Sequence, residues 1–344
     1  MGGDAAPSVV IEGAVIARER YPDARFLFFG RKDEVERILA AHGGLAAVSQ
    51  VVHCDDVVRD SDKPGQALRK SRGSSMARAI AAVKAGEADV AVSAGNTGAL
   101  MALAKFILRT LPGIDRPALA SLLPTLRGES IMLDLGANVD CASENLVEFA
   151  IMGSAFARAV LELDNPVVSL LNIGEEDLKG NDKVRRAAEI LRSSSLHLDF
   201  AGFVEGDKIS EGIADVVVSD GFTGNIALKS MEGTARLIMR LLAQSYKSSL
   251  LSRLGYLLSR PGLRGLRTHL DPNNHNGAVM LGLNGLVVKS HGSATATGFA
   301  TAIGVAVDMA RHRLIDLITD DLAGIVLDDE PAADTLPGGP VEDM

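Results

Sequence analysis

The residues best suited to chemistry lie in a polar loop with one lysine, residues 172–182 (N-I-G-E-E-D-L-K-G-N-D). The loop follows the apolar run 167–171, so it lies where a buried strand is predicted to end. Gly174 and Gly180 allow backbone N–H groups to approach a ligand, and Lys179 adds a mobile cation. These features suit a bound anion, most simply phosphate. A strand-to-helix turn with a solvated lysine is the alternative interpretation.

Four other loops repeat this pattern, in which an aliphatic run leads into a polar loop with glycine and then a helix. They are 94–98 (A-G-N-T-G), 136–140 (G-A-N-V-D), 219–225 (S-D-G-F-T-G-N) and 290–297 (S-H-G-S-A-T-A-T). Strands that alternate with helices predict parallel pairing through right-handed crossovers, which would bring all five loops to one edge of the sheet. Ligands of such sheets bind at that edge. We therefore predict a small oxyanion held by backbone amides, side-chain amides and hydroxyls.

The motifs of other ligand classes are missing from the sequence. It contains no G-x-x-x-x-G-K-[ST], and no G-x-G-x-x-G with an acid at the right distance, so a nucleotide or dinucleotide is not indicated. A G-x-S-x-G nucleophile turn is also absent. No cluster of residues has the spacing of metal ligands. We predict neither a metal nor a cofactor.

Composition limits the classes of function. The 344 residues are 47% hydrophobic, as expected for an α/β enzyme with a sizeable core. A net charge of −9 argues against a general nucleic-acid binder. The two cysteines, Cys54 and Cys141, are too few for a disulfide scaffold. With no signal peptide and no apolar run of roughly 20 residues, we expect a cytoplasmic protein.

Two segments are locally basic. Residues 60–78 contain more Lys and Arg than acids, and residues 234–270 contain seven Lys or Arg with no Asp or Glu. The second segment alternates its charges with apolar residues at near-helical spacing, and Pro261 with Gly262 predicts a division into two helices. Such a basic amphipathic hairpin can lie on an anionic membrane or receive an acidic protein, while a core helix with a solvated basic face is the alternative.

Six motifs together resemble a known family. They are M-G-G-D-A-A-P at 1–7, S-A-G-N-T-G-A-L-M at 93–101, G-I-D-R-P-A-L at 113–119, L-D-L-G-A-N-V-D at 133–140, the loop 172–182 and S-D-G-F-T-G-N at 219–225. In this order they resemble the bacterial phosphate acyltransferase family, with similarity from Met1 to about Leu317. The resemblance implies a three-layer αβα sandwich with a mostly parallel sheet, similar to phosphotransacetylases and the isocitrate dehydrogenase group. It also implies a homodimer.

The resemblance implies domain limits and a first strand as well. We expect one catalytic α/β domain over residues 1–327, with 234–270 as a protruding helical hairpin. Residues 328–344 hold six acids and no base, which predicts a disordered tail. Family members usually begin with a short strand before the M-G-G-D turn, and this sequence lacks it. We therefore expect a weakened sheet and a displaced Asp4.

The implied reaction transfers a long acyl chain from an acyl carrier protein thioester to inorganic phosphate, for phospholipid synthesis. The alternatives are a phosphotransacetylase-like enzyme that uses acyl-CoA, and a non-catalytic protein that binds a membrane or partner through the basic hairpin. The acidic carrier protein needs a basic surface, which either of the two basic segments can provide. We assign residues 63–78 to the carrier protein or to phosphate. The hairpin is assigned to peripheral contact with the inner membrane, near a membrane acyltransferase, through Leu254, Leu257 and Leu258.

For this reaction we predict that Lys179 is the catalytic cation, which neutralises the phosphate or the developing oxyanion. In a half-buried loop its charge would act in a low dielectric. The side-chain amides of Asn96, Asn138 and Asn225 are predicted to orient the reactants.

Other polar or glycine residues are further candidates for the phosphate site: Asp4, Gly95, Thr97, Asp140, Asn181, Asp220, Thr223 and His291. For the aspartates helix capping is the alternative role, and for His291 it is a structural hydrogen bond. Cys141 offers an alternative route through a transient acyl-enzyme.

Overall fold

The computed structural model describes residues 1–59, 61–70, 72–194, 196 and 198–323. The predicted tail, 328–344, and the last four residues of the predicted domain 1–327 lie outside the described residues. The strands are β1 (Phe26–Gly30), β2 (Ser49–His53), β3 (Val90–Ser93), β4 (Ala118–Thr125), β5 (Gly128–Leu133), β6 (Val167–Asn172), β7 (Asp199–Glu205), β8 (Val216–Val218), β9 (Ala278–Leu281) and β10 (Leu286–Lys289).

Helices connect most of these strands. They are α1 (Ser8–Arg20), α2 (Lys32–Leu39), α3 (Gly43–Ala46), α4 (Pro64–Lys70), α5 (Ser75–Lys84), α6 (Thr97–Leu108), α7 (Ser143–Val160), α8 (Asp182–Ser193), α9 (Gly221–Lys247), α10 (Leu250–His269), α11 (Ala296–Arg311) and α12 (Leu314–Ala323). A 3₁₀ turn, Ile209–Glu211, precedes β8.

Two hydrophobic layers cover the two faces of the main sheet. Ile131 and Leu133 of β5 pack on the same face as Phe149 of α7. Met132, which lies between them in the sequence, packs on the other face with Leu100 of α6. Because successive strand residues point to opposite faces, a strand that is apolar throughout must be covered on both sides. The predicted three-layer αβα sandwich is confirmed.

The main sheet contains strands that run in two directions. Its order is β3-β10-β9-β4-β5-β8-β6-β7. β3 and β10 are parallel, and so are β5, β8, β6 and β7. The three pairs between these groups, β10–β9, β9–β4 and β4–β5, are all antiparallel. Because the strand direction reverses three times between them, β5, β8, β6 and β7 run opposite to β3 and β10. The carboxyl ends of the two groups therefore lie at opposite edges of the sheet.

The prediction that five loops meet at one edge is therefore wrong. Sequence reasoning recognised neither β4 nor β9, the strands whose hairpins reverse the chain direction. We call the edge at which β5, β8, β6 and β7 end the lysine edge, because it carries the loop with Lys179. The edge at which β3 and β10 end is called the histidine edge, because it carries His291.

β1 and β2 form a separate parallel pair beside the main sheet. A cavity of about 1210 Å³ lies between β1 and β3 and is lined by residues of both strands, with Phe299 of α11. Met1 also lines it, and its amino group donates to the carbonyl of Phe29 at 3.5 Å. Asp4 is held by a hydrogen bond from its backbone N to the carbonyl of Gly292, 2.9 Å away.

Two helices, α9 and α10, occupy the segment predicted to be a hairpin, but the division between them is not where the sequence predicted it. Pro261 lies inside α10, and the two helices are separated at Ser248 and Ser249. The Ser249 side chain accepts a hydrogen bond from the backbone N of Ser252 at 3.0 Å, which caps α10 and sets its start. α10 has no buried residue, so the hydrogen bond that Pro261 cannot make is lost in a solvated helix.

Candidate active site

Three segments of the lysine edge contact one another. The backbone N of Gly221, at the start of α9, donates to the carbonyl of Asn138 at 2.8 Å. Lys183, in the first turn of α8, forms an ion pair with Asp140. Thus the loop 136–140 touches both the helix that follows β8 and the helix that follows the lysine loop, residues 172–182. Polar groups from three strand ends are brought together at this edge.

A buried carboxylate that sequence reasoning missed supports these contacts. Asp134 has no exposed surface, and its oxygens accept hydrogen bonds from the backbone N of Leu119, Gly136, Ala137 and Asn138 at 2.6–3.2 Å. Burial raises the pKa of Asp134, and the hydrogen bonds from Leu119, Ala137 and Asn138 oppose the rise. The motif L-D-L-G-A-N could have indicated this role of Asp134. A carboxylate just before a glycine loop is well placed to accept hydrogen bonds from the N–H groups of that loop.

The motif S-D-G-F-T-G-N positions Asn225. Asp220 caps α9, because its carboxylate accepts hydrogen bonds from both the backbone N and the hydroxyl of Thr223, each at 2.8 Å. Gly224 allows α9 to approach the sheet: a Cβ there would lie 2.0 Å from the carbonyl oxygen of Asp134. One residue later, Asn225 is exposed, and its Nδ2 lies 3.1 Å from the Cβ position of Gly136. Within the described chain, its side chain makes no hydrogen bond.

The lysine loop folds back on itself. The side chain of Asn172 donates to the carbonyl of Lys179 at 3.1 Å, and Gly180, at φ +88°, leaves room for the Asn172 amide. The Lys179 side chain passes over Gly174, where a Cβ would lie 2.8 Å from Lys179 Cγ. Lys179 itself is exposed, so the prediction of a half-buried ammonium is wrong. Its charge faces water until a ligand displaces that water.

Three other predicted residues of this edge have structural partners. Asn181 caps α8 by accepting from the backbone N of Val184 at 3.0 Å. The ion pair with Lys183 lowers the pKa of Asp140, which makes it a poor general base at neutral pH. Asn138 donates from Nδ2 to the carbonyl of Pro117 at 2.8 Å and to Asp134 at 2.9 Å. The side-chain amide of Asn138 therefore holds its own loop in place.

The remaining candidates, Asp4, Gly95, Asn96, Thr97 and His291, lie at the histidine edge. Asn96 caps α6, whose first residue is Thr97, by accepting from the backbone N of Ala99 at 2.9 Å. The Nδ2 of Asn96 also donates to the carbonyl of Asp62 at 3.2 Å. Gly95 packs against Gly2.

His291 is held in place by its neighbours. Its Nδ1 lies 3.0 Å from the Ser293 hydroxyl, and its backbone N donates to the Asn276 side chain at 2.9 Å. Burial lowers the pKa of His291, and the charges of Lys289 and Lys229 lower it further. His291 is therefore neutral at physiological pH.

α9 links the two edges. Its first turn carries Asn225 at the lysine edge, and the charges of Lys229 and Glu232, one and two turns later, act on the pKa of His291. The buried ammonium of Lys289 also lies at the histidine edge, with the carbonyl of Ala94 3.5 Å away. Sequence reasoning missed Lys229 and Lys289, since a lone lysine in a helix or at a strand end carries no distinguishing pattern.

The cysteine route has little support. Cys141 is buried, and its thiol donates to the carbonyl of Asn138 at 3.7 Å. Burial, followed by the charge of Asp134, raises the pKa of Cys141 to about 11. At neutral pH the thiolate that an acyl-enzyme requires is scarce.

Comparison with known proteins decides the family. A family model described as fatty acid synthesis protein matches residues 1–317. The phosphate acyltransferase of Rhodospirillum centenum is 55% identical over 333 residues, 97% of this chain and 94% of that protein. The phosphate acyltransferase of Parvibaculum lavamentivorans is 57% identical over 323 residues, 94% of this chain and 90% of that protein. The chain belongs to the phosphate acyltransferase family. It is thus an enzyme, a transferase of acyl groups to phosphate.

Solved structures agree with this membership at the level of the fold. A phosphotransacetylase from Streptococcus pyogenes superposes with a TM-score of 0.61 at 18% identity, over 89% of this chain and 92% of that one. A branched-chain phosphotransacylase from Enterococcus faecalis V583 gives 0.55 at 15% identity, over 90% and 97%. The predicted likeness of this family member to the phosphotransacetylase fold is confirmed.

Proposed function

We propose that this protein transfers a fatty acyl group from acyl carrier protein to inorganic phosphate, and that the acyl phosphate supplies phospholipid synthesis. The observation that carries the proposal is the contact between the loop 136–140, the start of α9 and the start of α8. It gathers the lysine loop, Asn225 and glycine-loop backbone at one edge of the sheet. These groups suit an anionic acceptor, and the phosphate acyltransferases that share more than half of the sequence have such an acceptor in their name.

In the proposed reaction, a phosphate oxygen bonds to the thioester carbonyl carbon. The carbonyl oxygen becomes an oxyanion, the carbon–sulfur bond then breaks, and the leaving thiolate takes a proton from solvent. Lys179 neutralises phosphate or the oxyanion, and the exposed amide of Asn225 donates a hydrogen bond to one of them. Because Lys179 is exposed, its effect grows when bound substrate excludes water from the loop.

The residues predicted to bind phosphate that lie at the histidine edge have a different role in this proposal. Asp4, Gly95, Asn96, Thr97 and His291 are proposed to shape the donor side of the site, while phosphate binds at the lysine edge. Support comes from α9, in which Lys229 and Glu232, whose charges act on the pKa of His291, lie about one and two turns beyond Asn225.

Three partners belong to the proposal. The acidic carrier protein is proposed to contact the exposed cations of residues 63–78, which include Lys63, Arg69 and Arg72. The hairpin of α9 and α10 is proposed to touch the inner membrane through the exposed Leu254, Leu257 and Leu258, close to a membrane acyltransferase. No described helix is long and apolar enough to cross a bilayer. A homodimer and a cytoplasmic location complete the proposal.

The test of the function is the release of carrier thiol from palmitoyl acyl carrier protein, with and without inorganic phosphate. Hydroxylamine trapping of acyl phosphate follows the product. We expect release to require phosphate and to be matched by acyl hydroxamate. Release without phosphate would mean a thioesterase and would overturn the proposal.

Acyl-CoA is the alternative donor, and the same assay with palmitoyl-CoA tests it. The proposal predicts a lower kcat/KM with palmitoyl-CoA than with the carrier protein, together with inhibition by free carrier protein. Charge reversal at Arg69 and Arg72 should raise the KM for the carrier protein and leave the KM for palmitoyl-CoA unchanged. Equal use of both donors, unaffected by these substitutions, would favour the phosphotransacetylase-like enzyme.

A further inference from the structure

Five large apolar side chains are exposed on the segments of the lysine edge. They are Val139, Ile173, Leu178, Phe222 and Ile226, with exposed fractions of 71%, 80%, 86%, 59% and 52%. Single exposed apolar residues are ordinary on a protein surface, but a group of this kind around a polar site favours an apolar ligand.

The segments that carry these side chains are physically joined. Val139 lies between two residues that make contacts with other segments. The carbonyl of Asn138 accepts a hydrogen bond from Gly221 at the start of α9, and Asp140 forms an ion pair with Lys183 of α8. Phe222 and Ile226 are four residues apart and share one side of α9. The segments that carry the apolar side chains are therefore the same segments that gather the polar groups.

Polar and apolar residues alternate within each segment. Leu178 precedes Lys179, Ile173 precedes Gly174, and Ile226 follows Asn225. A ligand that satisfies both kinds of residue must carry an anionic or strongly polar head directly joined to an apolar chain. The exposed leucines of α10 form a different surface, because they lie on the second helix of the hairpin.

We propose that Val139, Ile173, Leu178, Phe222 and Ile226 bind the hydrocarbon chain of the acyl donor and of the acyl phosphate, and so determine chain-length preference. This inference rests on the proposed function, since it takes the ligand's head to be the thioester or phosphate that reacts at Lys179. The apolar chain lies along the loops, where it excludes water from the lysine loop as it binds.

The activity test uses the double variant Phe222→Ser with Ile226→Ser and a separate variant, Ile173→Ser. The control is Leu126→Ser, because Leu126 is 85% exposed and lies in the β4–β5 turn, which contains none of the residues assigned to the phosphate or to the donor. Acyl carrier proteins loaded with 4-carbon and 16-carbon chains are the substrates. We expect kcat/KM for the 16-carbon donor to fall about tenfold or more in the variants, while the 4-carbon donor and the control change little.

A binding measurement separates this inference from the proposed function. Hexadecyl phosphonate and butyl phosphonate, which cannot be hydrolysed, are titrated calorimetrically into each protein. We expect the double variant to lose about tenfold or more of its affinity for hexadecyl phosphonate and none for butyl phosphonate. Equal affinity of the wild type and the double variant for hexadecyl phosphonate overturns the inference, as does an equal loss for both chain lengths. Chain-dependent loss of binding in a protein without transferase activity would support the site and overturn only the proposed function.

Discussion

Asp134 accepts two hydrogen bonds from Asn138, one from its backbone N at 2.6 Å and one from its Nδ2 at 2.9 Å. The pair joins a carboxylate with no solvent exposure to a loop that reaches the candidate active site. The carbonyl of Asn138 in turn accepts from Gly221, so the buried acid sets the position of the start of α9. Asp134 thus holds the loop of the candidate active site in place from the protein interior. This role does not require contact with the substrate.

Replacement of Asp134 by Asn should damage both stability and turnover. An amide offers one acceptor oxygen, and its NH₂ group would face N–H donors that the carboxylate now satisfies. We expect the free energy of unfolding to fall by roughly 2–4 kcal/mol, with a fall in kcat for thiol release. Urea denaturation measures the first effect. Asp140→Asn is the control, since it removes only an exposed ion pair and should leave the free energy of unfolding almost unchanged. Unchanged stability of Asp134→Asn would refute this account of the loop.

Lys179→Ala should lower kcat by about 100-fold or more, the effect typical of removing one stabilising group from an oxyanion site. The exposed side chain makes this substitution harmless to the fold, so the melting temperature should stay constant. Lys208→Ala is the control, a partly exposed lysine outside the candidate site that is paired with Glu211. Steady-state kinetics of phosphate-dependent thiol release provide the measurement. A variant with near wild-type kcat would remove Lys179 from the mechanism.

The lowered pKa of His291 predicts a pH-dependent stability. The unfolded chain takes up this proton near the ordinary histidine pKa of about 6.5, before the folded protein does. The free energy of unfolding should therefore decrease as pH falls through about 6.5 toward the lower folded pKa. In His291→Asn, which retains an acceptor near Ser293, this contribution is absent. Urea denaturation at pH 7.5, 6.5 and 5.5 should show the wild type losing stability relative to the variant. A constant difference would contradict the shift.

The apolar face of α10 can be tested by flotation on anionic lipid vesicles. Replacement of Leu254, Leu257 and Leu258 by Asp should release the protein, because three exposed apolar side chains are lost and negative charge meets an anionic surface. Leu126→Asp, an exposed leucine in the β4–β5 turn, should leave flotation unchanged. If the triple variant still floats, the hairpin is not the membrane contact.

The cavity between β1 and β3 predicts a place for an added strand. Among the described residues, no strand pairs with the side of β1 or of β3 that faces the cavity, and Met1 lies in its lining. A five-residue Val- and Ile-rich segment fused ahead of Met1 should pair with both strands and raise the melting temperature, as strands buried on two faces are strongly apolar. A fusion with alternating prolines is the control, because proline cannot donate to the sheet. Equal melting temperatures for the two fusions would argue against pairing.

The sequence by itself determined the α/β class, the family motifs and most element positions. Hydrophobic periodicity and glycine loops are local properties, and the apolar run 167–171 predicted a strand where β6 (Val167–Asn172) lies. β4 and β9 were not predicted from the sequence. An apolar run in a hairpin does not show that the neighbouring strand is antiparallel.

Only the tertiary structure decided which loops meet. Strand direction depends on which strands pair antiparallel, so the histidine edge and the lysine edge were separated by the three reversals β10–β9, β9–β4 and β4–β5. Asp134 gained its role from partners that include Leu119, 15 residues away, and Lys179 its exposure from the fold of its own loop. Periodicity reports how deeply a residue is buried, but the direction of a strand and the partner of a buried acid depend on contacts between distant parts of the chain.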